Sequence, residues 1–205
     1  MSSTTVQPDF FSFLGLPRKL KIDAPDLEQR YRALSRQFHP DYFYNAPAAE
    51  RRASLERSSY LNDAYRALKN PVARIEYLLK LELDGQGAGR AEPGPGGANA
   101  APPPGLLEQV FALNEELDEI RDARAGGAAA DEWKPRLERA RQPIEAKQRE
   151  HESKLEALSA QWDAAVDGNA PESERREILS ALRERFLERN YINNLLAGIE
   201  RELNV

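Results

Sequence analysis

The sequence contains no cysteine, and only two of its 205 residues are histidine. Without cysteine, the chain forms no disulfide and offers no thiolate for catalysis or for binding a metal. Two histidines, one in each half of the chain, are too few for a histidine-rich zinc site. We therefore predict that the chain binds no metal and no cofactor.

Long hydrophobic runs are also missing, although 40% of the residues are hydrophobic. No apolar stretch approaches the roughly 18 residues that a membrane-spanning helix requires. The first nine residues lack the basic and apolar regions of a secretion signal, and they contain none of the arginine that marks a mitochondrial transit peptide. We expect a cytoplasmic protein with no membrane partner.

Charge is distributed unevenly along the chain. Residues 1–84 hold 13 Lys and Arg against 11 Asp and Glu, whereas residues 85–205 hold 16 against 23. The net charges are therefore +2 and −7. Neither part has the density of positive charge that nucleic-acid binding requires, so we expect no nucleic-acid partner. The unlike charges predict two parts with unlike partners.

A Gly- and Pro-rich segment divides the chain. Of the 21 residues from 85 to 105, 12 are Gly or Pro, a composition that sustains neither a helix nor a strand. We predict an N-terminal domain over residues 1–84, a linker over residues 85–105 and a C-terminal domain over residues 106–205.

Helical periodicity runs through the N-terminal domain. One apolar stripe consists of Leu27, Tyr31, Leu34 and Phe38. Asp23 is the predicted N-cap of this helix, and Pro40 ends it because proline cannot donate the next backbone hydrogen bond. Two further helices are predicted over residues 47–69 and 72–83.

The C-terminal domain shows the same periodicity in three segments. The first carries a stripe formed by Leu106, Val110, Leu113, Leu117 and Ile120. The second is a long helix in which Trp133 and Trp162 are predicted packing anchors, and the third covers about residues 172–203. Three helices with short loops pack most simply as an antiparallel bundle. No segment shows strand alternation, so the predicted fold class is all-α.

The tripeptide His39-Pro40-Asp41 lies in the predicted loop between the first two helices. DFFSFLGL precedes that helix pair at residues 9–16, and LNDAYRALKNP follows the loop at residues 61–71. This arrangement resembles a J domain, the four-helix module that activates ATPase chaperones of the DnaK type. The resemblance implies that the loop docks on such a chaperone.

The same resemblance assigns three side chains on or beside the preceding helix to chaperone binding: Tyr31, Arg32 and Arg36. The two arginines would face an acidic surface of the chaperone. From the helical pattern alone, Tyr31 belongs equally well to the core stripe, and both alternatives stay open for it.

Two further segments narrow the resemblance to one family. PVARIEYLL at residues 71–79 and NEELDEI at residues 114–120 are similar to the HscB family of iron–sulfur co-chaperones. The CxxC pairs and targeting peptide frequent in eukaryotic members are absent, which indicates the bacterial type. The zinc module and β-sandwich client domain of general J proteins are absent as well.

A second line of side chains runs beside the apolar stripe of the first C-terminal helix: Leu107, Phe111, Glu115 and Glu119. Two apolar residues followed by two carboxylates make a poor core face and a suitable docking surface. The resemblance implies that this line, together with Phe186, binds an iron–sulfur scaffold protein of the IscU type. A place in the bundle core is the alternative for Phe111 and Phe186.

The resemblance thus implies a co-chaperone that binds the scaffold, delivers it to a DnaK/HscA-type chaperone and stimulates ATP hydrolysis there. We expect no enzymatic activity, because no carboxylate pair, phosphate loop or nucleophile–base pair offers an active site. The alternatives are a J protein with a different client, a helical adaptor with an inactive J domain, and a metal-dependent hydrolase using His39 and Asp41. Self-association of the bundle stays open.

Overall fold

The computed structural model describes residues 8–83 and 104–204, and every regular element in those two ranges is helical. The α-helices are α1 (Phe10–Phe13), α2 (Ala24–Phe38), α3 (Ala48–Lys69), α4 (Pro71–Leu83), α5 (Leu107–Ala125), α6 (Ala130–Asp167) and α7 (Glu172–Leu203). Short 3-10 turns cover Pro40–Phe43 and Pro104–Leu106. The predicted all-α fold class is confirmed.

The predicted helix limits agree closely with the structure. α2 begins after Asp23, whose carboxylate accepts a hydrogen bond from the Asp26 amide at 3.0 Å, and it ends directly before His39. α3, α4 and α7 each begin within one residue of the predicted position. The predicted linker over residues 85–105 lies outside the described residues except for its last two, so it stays a prediction.

Helix α1 was not predicted, because four residues are too few to show a helical period. It is fixed by a local cap: Asp9 Oδ1 accepts a hydrogen bond from the Ser12 amide at 3.1 Å. The same carboxylate pairs with Arg18 at 2.9 Å. Burial raises the pKa of Asp9, but the hydrogen bonds from Arg18 and Ser12 outweigh it and leave that pKa lowered.

The chain divides into two compact units. The first combines Met1–Ala91 with Leu158–Leu182, so it contains α1 to α4, the end of α6 and the start of α7. The large buried side chains of α1 to α4 and the segments between them are Phe11, Leu14, Leu20, Leu27, Leu61, Leu68, Ile75, Leu78 and Leu79. Full burial of one such side chain contributes about 1.5–3 kcal/mol, so these residues supply the main stabilisation of the helical hairpin.

Polar contacts join the end of α6 to the segment before α2 within this first unit. Trp162 is 1% exposed, and its Nε1 donates to the Arg18 carbonyl at 2.8 Å. The Asp163 carboxylate accepts hydrogen bonds from the Leu20 and Lys21 amides at 2.6 and 2.7 Å. Trp162 is therefore a packing anchor, as predicted. The domain limits at residues 84 and 106 stay a prediction.

The second unit comprises Glu92–Ala157 and Arg183–Val205. Its buried core consists of Leu106, Val110, Leu113, Ile120, Trp133, Leu137, Ile144, Ile192 and Ile199. Four of the five predicted stripe residues of α5 belong to this core, and Leu117 packs against it. The apolar stripe of α5 is therefore confirmed. No helix in the described ranges is long and apolar enough to cross a membrane.

Candidate docking sites

The tripeptide His39-Pro40-Asp41, called the motif loop below, directly follows α2, and its last two residues begin the first 3-10 turn. The Asp41 amide donates to His39 Nδ1 at 3.3 Å, and the Tyr42 amide donates to the His39 carbonyl at 3.0 Å. The His39 and Asp41 side chains are both exposed, so these groups are accessible to a partner.

The base of the motif loop is held by two serines of α3. Ser54 Oγ and Ser58 Oγ donate to the Phe38 carbonyl at 2.8 and 2.7 Å. This carbonyl ends α2, where the last C=O groups have no partner in their own helix. Neither serine was predicted from the sequence to support the motif loop. The two serines are four residues apart, so the sequence places them on one helix face. The sequence does not show that both donate to the same carbonyl oxygen.

Tyr31 belongs to α2, and its side chain contacts α3. Its ring stacks on Tyr65 with centroids 4.2 Å apart, and its hydroxyl donates to Asn62 Oδ1 at 2.8 Å. Both contacts lie within the helical hairpin, so they orient α2 against α3. A role of Tyr31 in chaperone binding stays a prediction.

The two predicted arginines differ in their surroundings. Arg32 Nη2 lies 2.5 Å from Glu28 Oε1, one turn earlier on the same helix. Arg36 has no carboxylate partner among the described residues, and it lines a shallow cleft of about 210 Å³ with His39 and Asp41. The structure therefore brings Arg36 to the motif loop and leaves Arg32 exposed within an ion pair.

The predicted line Leu107, Phe111, Glu115 and Glu119, called the α5 docking line below, is exposed along its whole length. Leu107 is 40% exposed and Phe111 is 69% exposed. Phe111 therefore does not fill the bundle core. Large apolar side chains exposed on adjacent turns of a helix are typical of an interaction surface.

The two carboxylates of the α5 docking line have different partners. Glu119 forms an ion pair with Arg136 of α6, whose Nε also lies 2.7 Å from Glu116 Oε1. The hydrogen bonds to Glu116 and Glu119 raise the pKa of Arg136, so its guanidinium stays protonated. Glu115 has no cationic partner in the part of the chain described here, which leaves its charge open to a binding partner.

Phe186, the fifth residue predicted to bind the scaffold, lies on α7 and is 8% exposed. Phe186 thus differs in exposure from Leu107 and Phe111, which are open to solvent. A ring buried to this extent offers little area to a partner. Its removal is expected to lower stability before it affects binding.

His151 is the second histidine, and it is buried within the second unit. Its Nδ1 lies 3.2 Å from Glu188 Oε2, although the two atoms do not have hydrogen-bond geometry. Burial lowers the pKa of His151, and the nearby Arg185 lowers it further against the opposing effect of Glu188. Within the described ranges, no group of three or more His, Asp or Glu could hold a metal ion.

Two HscB proteins are among the solved structures of similar fold. Chaperone HscB from Vibrio cholerae matches with a TM-score of 0.56 and 25% identity, covering 96% of this chain and 98% of that one. Human co-chaperone protein HscB matches with a TM-score of 0.60 and 23% identity, covering 100% of this chain and 87% of that one. The second likeness concerns the fold alone.

Comparison with protein-family models finds no match. A co-chaperone protein HscB homolog of Bordetella avium is 36% identical over 164 residues, which cover 78% of this chain and 85% of that protein. The protein of the same name from Bordetella petrii is 37% identical over 126 residues, which cover 60% and 68%. The N-terminal J-type fold, the helical bundle and these relatives agree: the chain belongs to the HscB family of co-chaperones.

Proposed function

We propose that this chain binds an iron–sulfur scaffold protein of the IscU type through the α5 docking line and delivers it to a DnaK/HscA-type chaperone through the motif loop. One observation carries the proposal. Six large hydrophobic side chains are exposed in the described residues, and five of them lie at or beside these two sites. The five are Tyr42, Tyr44, Leu55, Leu107 and Phe111.

At the motif loop, the chain does no chemistry of its own. ATP, its metal ion and the attacking water all belong to the chaperone. The loop acts by binding more tightly to the chaperone conformation that hydrolyses ATP, which raises the population of that conformation. Arg36 attracts an acidic surface, and such attraction raises the association rate and weakens with salt.

At the α5 docking line, apolar contact supplies affinity and charge supplies orientation. Burial of Leu107 and Phe111 against a partner contributes about 1.5–3 kcal/mol for each side chain. Glu115 is open to a cationic group of the scaffold, whereas Glu119 already forms an ion pair with Arg136. We infer a place in the bacterial cytoplasm, where both partners are available.

The first experiment is the steady-state ATPase rate of an HscA-type chaperone with this protein, with and without the scaffold. We expect stimulation by this protein alone and a further rise when the scaffold is added. If the stimulated ATPase rate does not change when the scaffold is added, a J protein with a different client is favoured. Absence of stimulation, with scaffold binding intact, would favour a helical adaptor.

His39→Gln tests the motif loop in the same assay. The substitution removes the imidazole and leaves the helices unchanged, so stimulation should be lost while helicity and scaffold binding stay constant. Arg66→Gln, an exposed substitution on α3, is the matched control and should stimulate normally. Full stimulation by the His39→Gln variant would refute the proposed role of the loop.

Leu107→Ala combined with Phe111→Ala tests the α5 docking line. Loss of both apolar contacts should weaken scaffold binding at least about tenfold in a calorimetric titration. Stimulation of the chaperone without scaffold should not change. Leu55→Ala is the control for scaffold binding, because Leu55 is also exposed but lies on α3. Equal affinities of all three proteins would place the scaffold elsewhere.

A further inference from the structure

A groove runs between the 3-10 turn that contains Pro40 and Asp41 and the first two turns of α3. Its volume is about 550 Å³. It is lined by Pro40, Asp41, Tyr44, Asn45, Arg51 and Leu55. The groove is continuous with the motif loop, because Pro40 and Asp41 belong to both.

The apolar side chains of this groove do not support the fold. Tyr44 is 78% exposed and Leu55 is 57% exposed. Leu55 precedes the buried Leu61 by six residues, which turns it about 240° around the helix from that core position. Both side chains therefore face solvent, where a large apolar group gains nothing until a partner covers it.

The groove is lined by one cation, Arg51, and by the exposed carboxylate of Asp41. Arg51 Nη1 donates to the Tyr44 carbonyl at 3.5 Å, which places its guanidinium beside the apolar floor. Arg51 has no carboxylate partner within the described residues. Its positive charge is available to an acidic partner.

We propose that this groove is a second anchoring point for the ATPase chaperone, receiving one of its apolar side chains that lies next to a carboxylate. The inference rests on the proposed function of the motif loop. Continuity with that loop selects the chaperone as the occupant, since a protein docked on Asp41 also covers the groove. The unpaired guanidinium of Arg51 selects an acidic neighbour for the apolar side chain.

The groove and the loop have separate tasks in this arrangement. Tyr44 and Leu55 hold the chaperone and set the affinity. His39 acts on the conformation of the chaperone and sets the maximal ATPase rate. The two tasks are separable in a titration, because affinity moves the half-maximal concentration and activation moves the plateau.

The test is a titration of an HscA-type chaperone with the full chain carrying Tyr44→Ala and Leu55→Ala, read as ATPase rate. The concentration for half-maximal stimulation should rise at least about tenfold, with the same plateau. Arg51→Gln should raise it less and weaken its dependence on salt. Two controls should match the unaltered chain: Arg66→Gln, exposed on α3 within an ion pair, and Leu187→Ala.

The outcomes distinguish this inference from the proposed function. If His39→Gln stimulates fully, the proposed function fails and the groove inference fails with it. If His39→Gln is inactive while the Tyr44→Ala and Leu55→Ala chain titrates normally, only the groove inference is overturned. A lowered plateau at an unchanged half-maximal concentration also overturns it. So does a dimer that dissociates in this variant with normal stimulation, because a second copy would then occupy the groove.

Discussion

The motif loop and the α5 docking line are built in different ways. The α5 docking line consists of side chains four residues apart, so it exists as soon as the helix forms. The motif loop consists of three consecutive residues, and it has its observed conformation because Ser54 and Ser58 reach across from α3 to the end of α2. A helical line depends on local periodicity, whereas a loop site depends on the packing of other elements.

The same contrast separates the two phenylalanines that were predicted to bind the scaffold. Phe111 is 69% exposed and Phe186 is 8% exposed, although both follow apolar helical patterns. The neighbouring helices therefore determine whether each ring is exposed to a partner or buried in the fold. Substitution of each ring tests this comparison directly.

Phe186→Ala should have the largest effect on stability. Removal of a buried phenylalanine costs about 3–5 kcal/mol because it leaves a cavity, whereas Phe111→Ala should change the free energy of unfolding by less than about 0.5 kcal/mol. Urea unfolding followed by circular dichroism measures both values. If Phe186→Ala leaves stability unchanged and weakens scaffold binding instead, then Phe186 belongs with the docking surface.

Ser54→Ala combined with Ser58→Ala should have an intermediate effect. The Phe38 carbonyl would lose both donors, and an unsatisfied part-buried acceptor costs about 1–3 kcal/mol. Because this carbonyl precedes His39, stimulation of the chaperone should fall while scaffold binding by α5 stays constant. The measurements are urea unfolding and the ATPase assay.

Ser59→Ala is the control for the serine pair, since Ser59 is exposed on α3. Either serine alone should compensate in part for loss of the other, so the single substitutions should each have a smaller effect than the pair. Normal stimulation by the double variant would show that the motif loop keeps its conformation without these hydrogen bonds.

The smallest effect is expected from pH at His151. Its pKa in the folded chain lies below the ordinary value of 6.5, so the unfolded chain binds the proton more readily. The resulting stability is fully present above pH 6.5 and is lost as pH falls through the folded pKa. The charged groups nearby are Glu188 and Arg185 of α7, together with Glu150 and Lys154 of α6.

His151→Gln should therefore reduce the loss of melting temperature between pH 7.5 and pH 5.5 (roughly the window around the ordinary histidine pKa). Arg149→Gln, exposed on the same helix, should keep that loss. Identical pH profiles for the unaltered chain and the His151→Gln variant would show that His151 does not contribute to this dependence.

Some of the contacts that hold the first unit could not be predicted from the sequence. Arg74 is 6% exposed, and it donates to the carbonyls of Leu68, at 2.7 Å, and of Leu20. Burial lowers the pKa of Arg74, and Asp163 opposes this effect. Two of these groups, the Leu20 carbonyl and the Asp163 carboxylate, are far from Arg74 in sequence. No local sequence pattern therefore predicts a buried arginine at this position.

By itself, the sequence determined the all-α fold, the limits of α2 to α4 and α7, the position of the motif loop and the apolar stripe of α5. These features depend on interactions within a few residues, such as a proline that ends a helix or side chains one turn apart. Only the tertiary structure decided that Phe186 is buried, that two serines hold the Phe38 carbonyl, and that Tyr44 and Leu55 line one groove. Burial and cross-element contacts depend on which helices pack together, and the periodicity of a single helix does not contain that information.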